Sequence, residues 1–275
     1  MEQKLLCFPD AKSVSEKPDA TGYIRLSVTL HASITGCKHS TFTASPWQAD
    51  FERHFQLTNI AYSPPPDTGL SILFADDSLV VVDKPAGLLS VPGRGEGMAD
   101  CLVSRVQATF PDALSVHRLD MATSGLLILA RGEEMHRQLS RLFRERQVEK
   151  SYVAVIDGLL AAEAGEVDFP LIADWPNRPR QKVDFEIGKP SLTKFTRLCL
   201  DSANKTTRVE LRPVTGRSHQ LRVHMCALGH PILGDDLYGG TVQIMSERLL
   251  LHATDLALFH PLTAASLSFH CPVPF

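Results

Sequence analysis

The sequence lacks the features of a membrane or secreted protein. No apolar run approaches the eighteen or so residues that a transmembrane helix needs. Near the start, the apolar stretch LLCF is only four residues long, which is too short for the hydrophobic region of a secretory signal. We therefore expect a soluble protein of the cytoplasm that has no membrane partner.

Closely spaced cysteines are also missing. The chain has six cysteines, and no two of them have C-x-x-C spacing: Cys7, Cys37, Cys101, Cys199, Cys226 and Cys271. Scattered cysteines in a protein expected in the cytosol are typically reduced thiols. We therefore expect no disulfide framework.

A surplus of positive charge is absent as well. The formal net charge is −3 and the pI is about 6.4, which is the wrong sign for binding nucleic acid through bulk charge. Any such binding would need local basic patches. With 275 residues and 44% hydrophobic content, the chain can bury a core as one long domain or two smaller ones.

The composition changes near residue 62. Residues 1–62 are rich in Ser, Thr and Lys, and residues 63–69 (SPPPDTG) contain three consecutive prolines, which favour an extended linker. We divide the chain into an N-terminal extension of unknown role (1–62), a proline-rich linker (63–69) and a main domain (70–275). The extension is either a loosely ordered segment, including an over-long start assignment, or a small docked element.

From residue 70 the hydrophobic pattern predicts many short strands and few helices. Strands are predicted on both sides of the Asp76-Asp77 pair and for GLLILA, KSYVAV, LTKFTRLCL and TTRVELRP. Helices are predicted for MADCLVSRVQATF, for residues 133–147 and for GRSHQLRVHMCALGH. Residues 159–180 are expected to form a long excursion. This pattern predicts an α+β fold with a mixed, mostly antiparallel central sheet flanked by helices and loops.

The segment HRLDMATSGLLILA places three polar side chains, His117, Arg118 and Asp120, directly before an apolar strand. A carboxylate beside a buried strand loses hydration and stays ionised only if a cation or hydrogen-bond donors compensate. We expect that partner to come from elsewhere in the chain. Two interpretations are open here: a catalytic carboxylate held by a rigid strand, or a structural aspartate that caps a turn.

Several other motifs are incomplete. HRLD lacks the glycine-rich loop and the Asp-Phe-Gly of a kinase, and EIGKPS lacks the upstream glycine of a P-loop. His219 and His224 are five residues apart rather than four, and no acid is spaced to complete a zinc site. No G-x-S-x-G nucleophile motif occurs. The sequence therefore predicts no metal ion.

Two segments carry a local surplus of basic residues. Residues 174–194 hold five Lys and Arg against three acids, together with Trp175, and residues 208–224 hold four arginines against Glu210 alone. Guanidinium groups contact phosphates in pairs of hydrogen bonds, and tryptophan stacks on unpaired bases. The alternative for the first segment is an ordinary solvated loop. The second segment borders a predicted helix start, which is a natural place to hold a phosphate or a carboxylate.

Several sequence blocks together resemble one family. DKPAGLLSVPG, HRLDMATSGLLILA, KSYVAV and RPVTGRSHQLRVHMCALGHPILGDDLY resemble, in order and spacing, the signature blocks of the RluA-type pseudouridine synthases. The resemblance covers residues 70–275 and implies the pseudouridine synthase fold. The segment DWPNRPRQKVDFEIGKPS further resembles the member of this family that acts on both 23S ribosomal RNA and the tRNA anticodon loop. Residues 1–62 do not resemble the S4 RNA-binding domain that many members carry.

The resemblance implies roles for individual residues. Asp120 aligns with the catalytic aspartate, and Arg222 aligns with the basic residue that pairs with it. Tyr152 aligns with the tyrosine that packs on the target base and is implicated in removing the C5 proton. Arg118 aligns with an arginine that helps to hold the flipped-out nucleotide. Together with the basic segments, the candidate RNA-binding residues are His117, Arg118, Trp175, Arg178, Arg180, Lys182, Arg217 and His219.

The implied reaction breaks the N1–C1′ bond of uridine, turns the uracil and joins C5 to C1′. It involves no redox change, so no cofactor is expected. The aspartate either attacks C1′ or removes the C2′ proton, and both routes are open. The implied substrates are loop uridines, where flipping a base out of its stack is cheapest. They are uridine-32 of the tRNA anticodon stem-loop and/or uridine-746 of 23S rRNA. RNA is the expected partner, and the protein is expected to be monomeric.

Two functions of other classes remain as alternatives. One is a non-catalytic RNA-binding or ribosome-associated protein on the same fold, although such a module has no reason to keep Asp120, Tyr152 and Arg222 together. The other is a carboxylate-based hydrolase that acts on N-glycosides. Hydrolases of that kind often rely on two acids, and no second acid occurs in a matching motif.

Overall fold

The computed structural model describes residues 24–26, 62–94 and 97–275. Apart from the backbone of 24–26 and Tyr62, the predicted extension lies outside the described residues. Within the described part, no helix is long and apolar enough to cross a lipid bilayer.

Strands dominate the described chain. The strands are β1 (Ile24–Leu26), β2 (Ser71–Ala75), β3 (Leu79–Lys84), β4 (Ala113–Ser115), β5 (Ser124–Arg131), β6 (Glu149–Asp157), β7 (Ala164–Asp168), β8 (Leu171–Ala173), β9 (Gln181–Val183), β10 (Leu192–Asp201), β11 (Thr206–Pro213), β12 (Leu251–Phe259) and β13 (Ser266–His270). The α-helices are α1 (Leu102–Gln107), α2 (Gly132–Arg144) and α3 (Gln220–Ala227).

In the described residues, eleven strands form one sheet and β8 and β9 form a separate hairpin. The main order is β1-β7-β10-β11-β6-β12-β5-β3-β2, with β13 paired to β12 and β4 to β5. Two pairs, β12–β5 and β1–β7, are parallel, whereas the other strand pairs are antiparallel. The predicted α+β fold with a mixed, mostly antiparallel sheet is confirmed.

The hydrophobic core covers both faces of the sheet. Along β3, Val80 and Val82 belong to one buried cluster, whereas Leu79 and Val81 belong to another. This alternation follows from the two-residue period of a strand, and it explains why the whole run is apolar. Consequently, the two residues that end β3, Asp83 and Lys84, direct their side chains to opposite faces.

Helix α2 has the amphipathic pattern that the sequence predicts. Met135 and Leu139 are buried, whereas Arg137, Arg141 and Arg144 are exposed. Glutamates in its first turn and arginines in its last turn complement the helix dipole. The last turn brings Arg144 to the cavity described below.

One prediction within the main domain is wrong. Residues 159–180 are not a simple excursion, because they contain β7, which pairs with β10 inside the main sheet, and β8 of the hairpin. The stretch AGEVD has one large apolar side chain, Val167, which is fully buried. Such a short strand has too little alternation for its periodicity to be detected.

The proline-rich segment and Tyr62, which directly precedes it, contact the main domain at several points. The Tyr62 hydroxyl donates to the Asp100 carbonyl (2.9 Å) and accepts from the Leu89 N–H (3.0 Å). Arg105 donates to the Pro65 carbonyl (2.7 Å). The division of the chain into extension, linker and domain stays a prediction.

Candidate active site

A cavity of about 540 Å³ lies beside the loop before β5, the end of α2 and the start of α3. This volume is typical of ligand-binding sites. Among the residues that the structure describes, its lining contains a single carboxylate, that of Asp120. The lining lysines and arginines are Arg118, Arg144, Arg146, Lys150, Arg217 and Arg222. A chain with negative net charge thus concentrates positive charge at one cavity, which suits an anionic ligand.

The loop that carries Asp120 is fixed by main-chain hydrogen bonds. The Asp120 carbonyl accepts from the Thr123 N–H (3.1 Å). The neighbouring Met121 carbonyl accepts from the Gly87 N–H (2.9 Å) and from Lys84 Nζ (3.1 Å). The Lys84 side chain and the segment that follows β3 therefore hold the main chain of the loop in place.

Lys84 is the buried anchor of this arrangement. Its side chain is 0% exposed, and Nζ also donates to the carbonyls of Leu88 (2.7 Å) and Pro85 (2.9 Å). With Met121, three acceptors use all three donors of an ammonium group. Burial lowers the pKa of Lys84 to about 7, while the charge of Asp120 opposes this shift. The sequence analysis did not single out Lys84, although a lysine at the end of an apolar strand must find buried partners.

Two nitrogen-containing side chains approach the Asp120 carboxylate. Oδ1 lies 3.8 Å from His219 Nε2, and Oδ2 lies 3.9 Å from Arg222 Nη1, with the Asp120 side chain 19% exposed. These distances are too long for hydrogen bonds but short enough for electrostatic attraction between charged groups. The carboxylate oxygens are therefore available to a molecule in the cavity.

The nearest partner of Arg222 is Asp235. Nε donates to Asp235 Oδ2 (2.8 Å) and Nη2 donates to Oδ1 (2.6 Å), and both side chains are almost fully buried. A further bond joins Nη2 to Asp236 (2.7 Å). Although burial opposes it, the bonds with Asp235 raise the pKa of Arg222. The predicted pairing of Arg222 with Asp120 exists only as the longer contact, because the guanidinium is already held by Asp235.

His219 is oriented by Tyr238. The Tyr238 hydroxyl accepts from the Gln181 N–H (2.7 Å) and lies 2.7 Å from His219 Nδ1. The hydroxyl proton is therefore free to point at Nδ1, which places the proton of a neutral imidazole on Nε2, facing Asp120. Burial lowers the pKa of His219, and the charge of Asp120 opposes this shift. His219 therefore presents an N–H donor to the cavity.

Tyr152 lies on β6 in the wall of the cavity. The pairing register places it between Leu211 of β11 and Ala253 of β12, and its ring packs against two core clusters. Burial and, secondarily, the charge of Asp120 raise the pKa of Tyr152. Tyr152 is therefore a neutral phenol in the free protein.

His117 has a structural contact as well as a place in the cavity wall. Its Nε2 accepts from the Ile128 N–H (3.1 Å), and its ring stacks on Phe143 with centroids 4.4 Å apart. Burial, with a contribution from Lys150, lowers the pKa of His117 to about 3. A neutral ring that is bound to β5 offers the cavity an aromatic surface rather than a charge.

Among the predicted RNA-binding residues, Arg118 and Arg217 line the cavity and are exposed. Trp175, Arg178, Arg180 and Lys182 do not line the cavity; they lie on or beside the β8–β9 hairpin. Trp175 is 65% exposed, and the Arg178 guanidinium lies 4.2 Å from the centroid of the Trp175 ring. The structure therefore separates the predicted residues into a cavity set and a hairpin set.

The two sets are joined through Tyr238. The Arg180 guanidinium lies 5.4 Å from the centroid of the Tyr238 ring, and Tyr238 contacts both the hairpin and His219. Lys182, at the outer edge, pairs with Asp184 at 3.5 Å. A ligand that extends from the cavity along this side would meet the hairpin next.

Comparison with protein families gives a match to RNA pseudouridylate synthase over residues 78–227. That match covers more than half of the chain and includes Asp120, Tyr152 and Arg222. The chain belongs to the RNA pseudouridylate synthase family. The predictions of this fold, of an RNA-modifying isomerase and of RNA as the substrate class are confirmed.

Curated members of the family from bacteria are similar over nearly their whole length. The dual-specificity RNA pseudouridine synthase RluA of Escherichia coli strain K12 is 52% identical over 215 residues, which is 78% of this chain and 98% of that protein. The protein of the same description from Pasteurella multocida strain Pm70 is 51% identical over 217 residues, covering 78% of this chain and 99% of that protein.

A solved structure of the family has the same architecture. Human RNA pseudouridylate synthase domain containing 1 superposes with a TM-score of 0.65 at 29% identity, over 78% of this chain and 87% of that one. As a pseudouridylate synthase, this chain carries three supporting residues that the sequence analysis missed: Lys84, Asp235 and Tyr238. Asp235 and Tyr238 lie in GDDLYGG, whose adjacent acids were the available signal.

Proposed function

We propose that the chain converts unpaired loop uridines of RNA to pseudouridine, with Asp120 as the catalytic carboxylate. The observation that carries this proposal is the lining of the cavity, where, within the described part of the chain, Asp120 is the only acid beside six lysine and arginine side chains. Such a lining attracts the phosphates around a flipped-out nucleotide and leaves one anionic oxygen donor for the ribose.

The chemistry uses the groups that face the cavity. Asp120 either attacks C1′ as the N1–C1′ bond breaks or removes the C2′ proton, and the free uracil turns so that C5 bonds to C1′. In the first route the Asp120–C1′ bond breaks as C5 bonds to C1′, and in the second route the C2′ proton is returned. C5 then loses its proton to solvent and N1 takes one up, so the product is an isomer of uridine. Arg222 and His219 lie 3.9 Å and 3.8 Å from the carboxylate oxygens. Neither group blocks the approach of a nucleotide to the carboxylate.

Tyr152 forms the wall against which the uracil turns. Because its pKa is raised by burial, the phenol binds the base as a stacking surface in the resting state. For Tyr152 to remove the C5 proton, its own proton has to move first, and the nearby Asp120 carboxylate is an acceptor for it once the new C–C bond has formed.

Two RNA substrates are proposed, namely uridine-32 of the tRNA anticodon stem-loop and uridine-746 of 23S rRNA. The support is the hairpin segment DWPNRPRQKVDFEIGKPS and the similarity to bacterial relatives that are described as dual-specificity enzymes. Exposed Trp175 and its basic neighbours extend the basic surface beyond the cavity, as binding of an RNA loop requires. The proposed enzyme works as a monomer in the cytoplasm and uses no cofactor.

A tritium-release assay tests the proposal. An unmodified tRNA transcript with tritium at uridine C5 is incubated with the wild-type chain, with Asp120→Asn and with Asp77→Asn, a control at a fully exposed aspartate. Isomerisation releases the label to water, so release is expected from the wild type and the control but not from Asp120→Asn.

Equal release by Asp120→Asn would refute the catalytic assignment. Binding of tRNA and 23S fragments without release would instead support a binding protein. Formation of free uracil would support an N-glycoside hydrolase. Primer extension on the product identifies the modified uridine and tests the two proposed positions separately.

A further inference from the structure

Three polar side chains meet on the face of the sheet opposite Lys84. They are Asp83 of β3, His252 of β12 and Cys271 after β13, and their potential ligand atoms all lie within 4.8 Å of one another. Cys271 belongs to the core cluster that contains Val81, on the face to which Asp83 also points. The thickness of the sheet therefore separates this group from Lys84 and the Asp120 loop.

Two atoms of this group are buried and unpaired. Asp83 Oδ1 and His252 Nε2 have no hydrogen-bond partner among the residues that the structure describes, and His252 is only 1% exposed. A buried polar atom without a partner destabilises the fold. A ligand that bonds to both atoms would remove this cost.

The surroundings of His252 aim its free nitrogen at the group. Nδ1 lies 2.8 Å from the Ser124 hydroxyl, which also accepts a hydrogen bond from the Arg248 guanidinium. When Nδ1 carries the proton and donates it to Ser124, Nε2 presents a lone pair towards the other two side chains. Histidine ligands in metal sites are oriented by an outer bond of this kind.

We infer that Asp83, His252 and Cys271 bind a divalent transition-metal ion of the zinc type. Carboxylate, imidazole and thiolate together form a donor set that zinc accepts, whereas magnesium and calcium prefer oxygen alone. Zinc bonds of about 2.0–2.3 Å place tetrahedral ligand atoms roughly 3.3–3.8 Å apart. Side-chain shifts of about 1 Å therefore bring the three donors into range, and solvent supplies the fourth ligand.

Binding replaces the thiol proton of Cys271 with the ion. In the metal-free protein the Cys271 thiol forms a hydrogen bond with the Asp83 carboxylate. On binding, the S–H bond breaks, the sulfur lone pair bonds to the cation and the proton leaves to solvent. The negative charges of the thiolate and of Asp83 then balance the ion.

The ion would join parts of the chain that are far apart in sequence. The segment after Cys271 is already held at its end, where the Phe275 carbonyl accepts from Arg208 (2.6 Å) and the Phe275 ring lies under Arg248 (5.5 Å). A metal bond at Cys271 would fix this tail to β3 and β12. Because the donors come together only in the folded chain, metal binding would stabilise the folded state.

Metal titration of the full chain tests the inference. The protein is stripped with chelator under reducing conditions and titrated with Co²⁺ as a spectroscopic substitute for Zn²⁺. A thiolate-to-cobalt charge-transfer band is expected, and Zn²⁺ is expected to abolish it and to raise the thermal unfolding midpoint. Cys271→Ala and Asp83→Asn should show no charge-transfer band, should retain no zinc after dialysis, and should show no rise in the unfolding midpoint when Zn²⁺ is added.

Matched controls locate the bound ion. Cys199→Ala changes an exposed cysteine elsewhere, and Cys7→Ser/Cys37→Ser removes the cysteines of the N-terminal extension. Both should retain the full signal. If Cys271→Ala does not fold, Asp83→Asn decides, because it changes only the charge. The inference is overturned if the wild type shows no band, or if Cys271→Ala or a folded Asp83→Asn retains as much zinc as the wild type.

Discussion

Removing the guanidinium of Arg222 should destabilise the fold rather than affect catalysis alone. Arg222→Met would leave Asp235 buried without its cation, and breaking a buried ion pair in this way typically costs about 3–5 kcal/mol. The Asp235 carboxylate would still accept the N–H groups of Leu237 and Tyr238 at 2.9 Å. We therefore expect the lower end, about 3 kcal/mol, which lowers the unfolding midpoint by roughly 6–12 °C for a domain of this size.

Thermal and urea unfolding of a double-mutant cycle would measure this effect. The cycle combines Arg222→Met with Asp235→Asn, which keeps an oxygen acceptor but removes the buried charge. Because the double variant no longer leaves Asp235 as a buried, unpaired charge, it should be more stable than the sum of the single effects predicts, by about 1–2 kcal/mol. Arg217→Met, at an exposed arginine of the same cavity, is the control and should change stability by no more than about 0.5 kcal/mol.

Two results would refute this reasoning. A midpoint for Arg222→Met that is equal to that of Arg217→Met would mean that the buried pair contributes nothing to the fold. Strict additivity in the cycle would mean that the loss comes from packing of the arginine side chain against Tyr238 and not from the charge of Asp235.

Two further predictions concern proton transfer and acid stability. Tyr152→Phe keeps the stacking ring, so the affinity for RNA should stay the same. Tritium release should fall by about 10²-fold or more, which is the typical contribution of acid–base catalysis. Tritium release equal to that of the wild type would show that the hydroxyl takes no part in the mechanism. Burial lowers the pKa of His224 to about 4, so between pH 6.5 and 4 the unfolded chain binds more protons than the folded chain and stability falls on acidification. The loss from His224 is about 3 kcal/mol, and His224→Gln should flatten the unfolding profile in that window; an unchanged slope would contradict the assignment.

Much of the fold was predictable because long apolar runs and helical periodicity report burial directly. The run GLLILA became β5, and the spacing of Met135 and Leu139 became the buried face of α2. Strand β7 was not predicted, because its position between β1 and β10 is set by strand pairing and not by its own composition. Local pattern carries little information about such a strand.

Asp120 and its loop could be singled out from local sequence, but the residues that support the loop could not. Asp120 stands beside an apolar strand, and this placement alone indicated a compensated carboxylate. The groups that hold the loop and lie near the Asp120 carboxylate come from residues 84–90 and 219–238. Asp235, which forms two hydrogen bonds with Arg222, lies 13 residues after it in the chain. The family resemblance implied that Arg222 pairs with Asp120, and the spacing of residues along the chain cannot rank Asp120 and Asp235 as partners.

The end of β3 shows why the sequence gives no signal for the proposed metal site. Asp83 and Lys84 are neighbours in sequence, yet the strand sends one side chain to His252 and Cys271 and the other to the Asp120 loop. The search for ligands relied on spacing within one segment, whereas these donors are brought together by β3, β12 and the tail. Because adjacent side chains of a strand point to opposite faces of the sheet, Lys84 supports the loop that carries Asp120 while Asp83 belongs to the proposed metal site. Strand β3 therefore contributes to both places through different side chains.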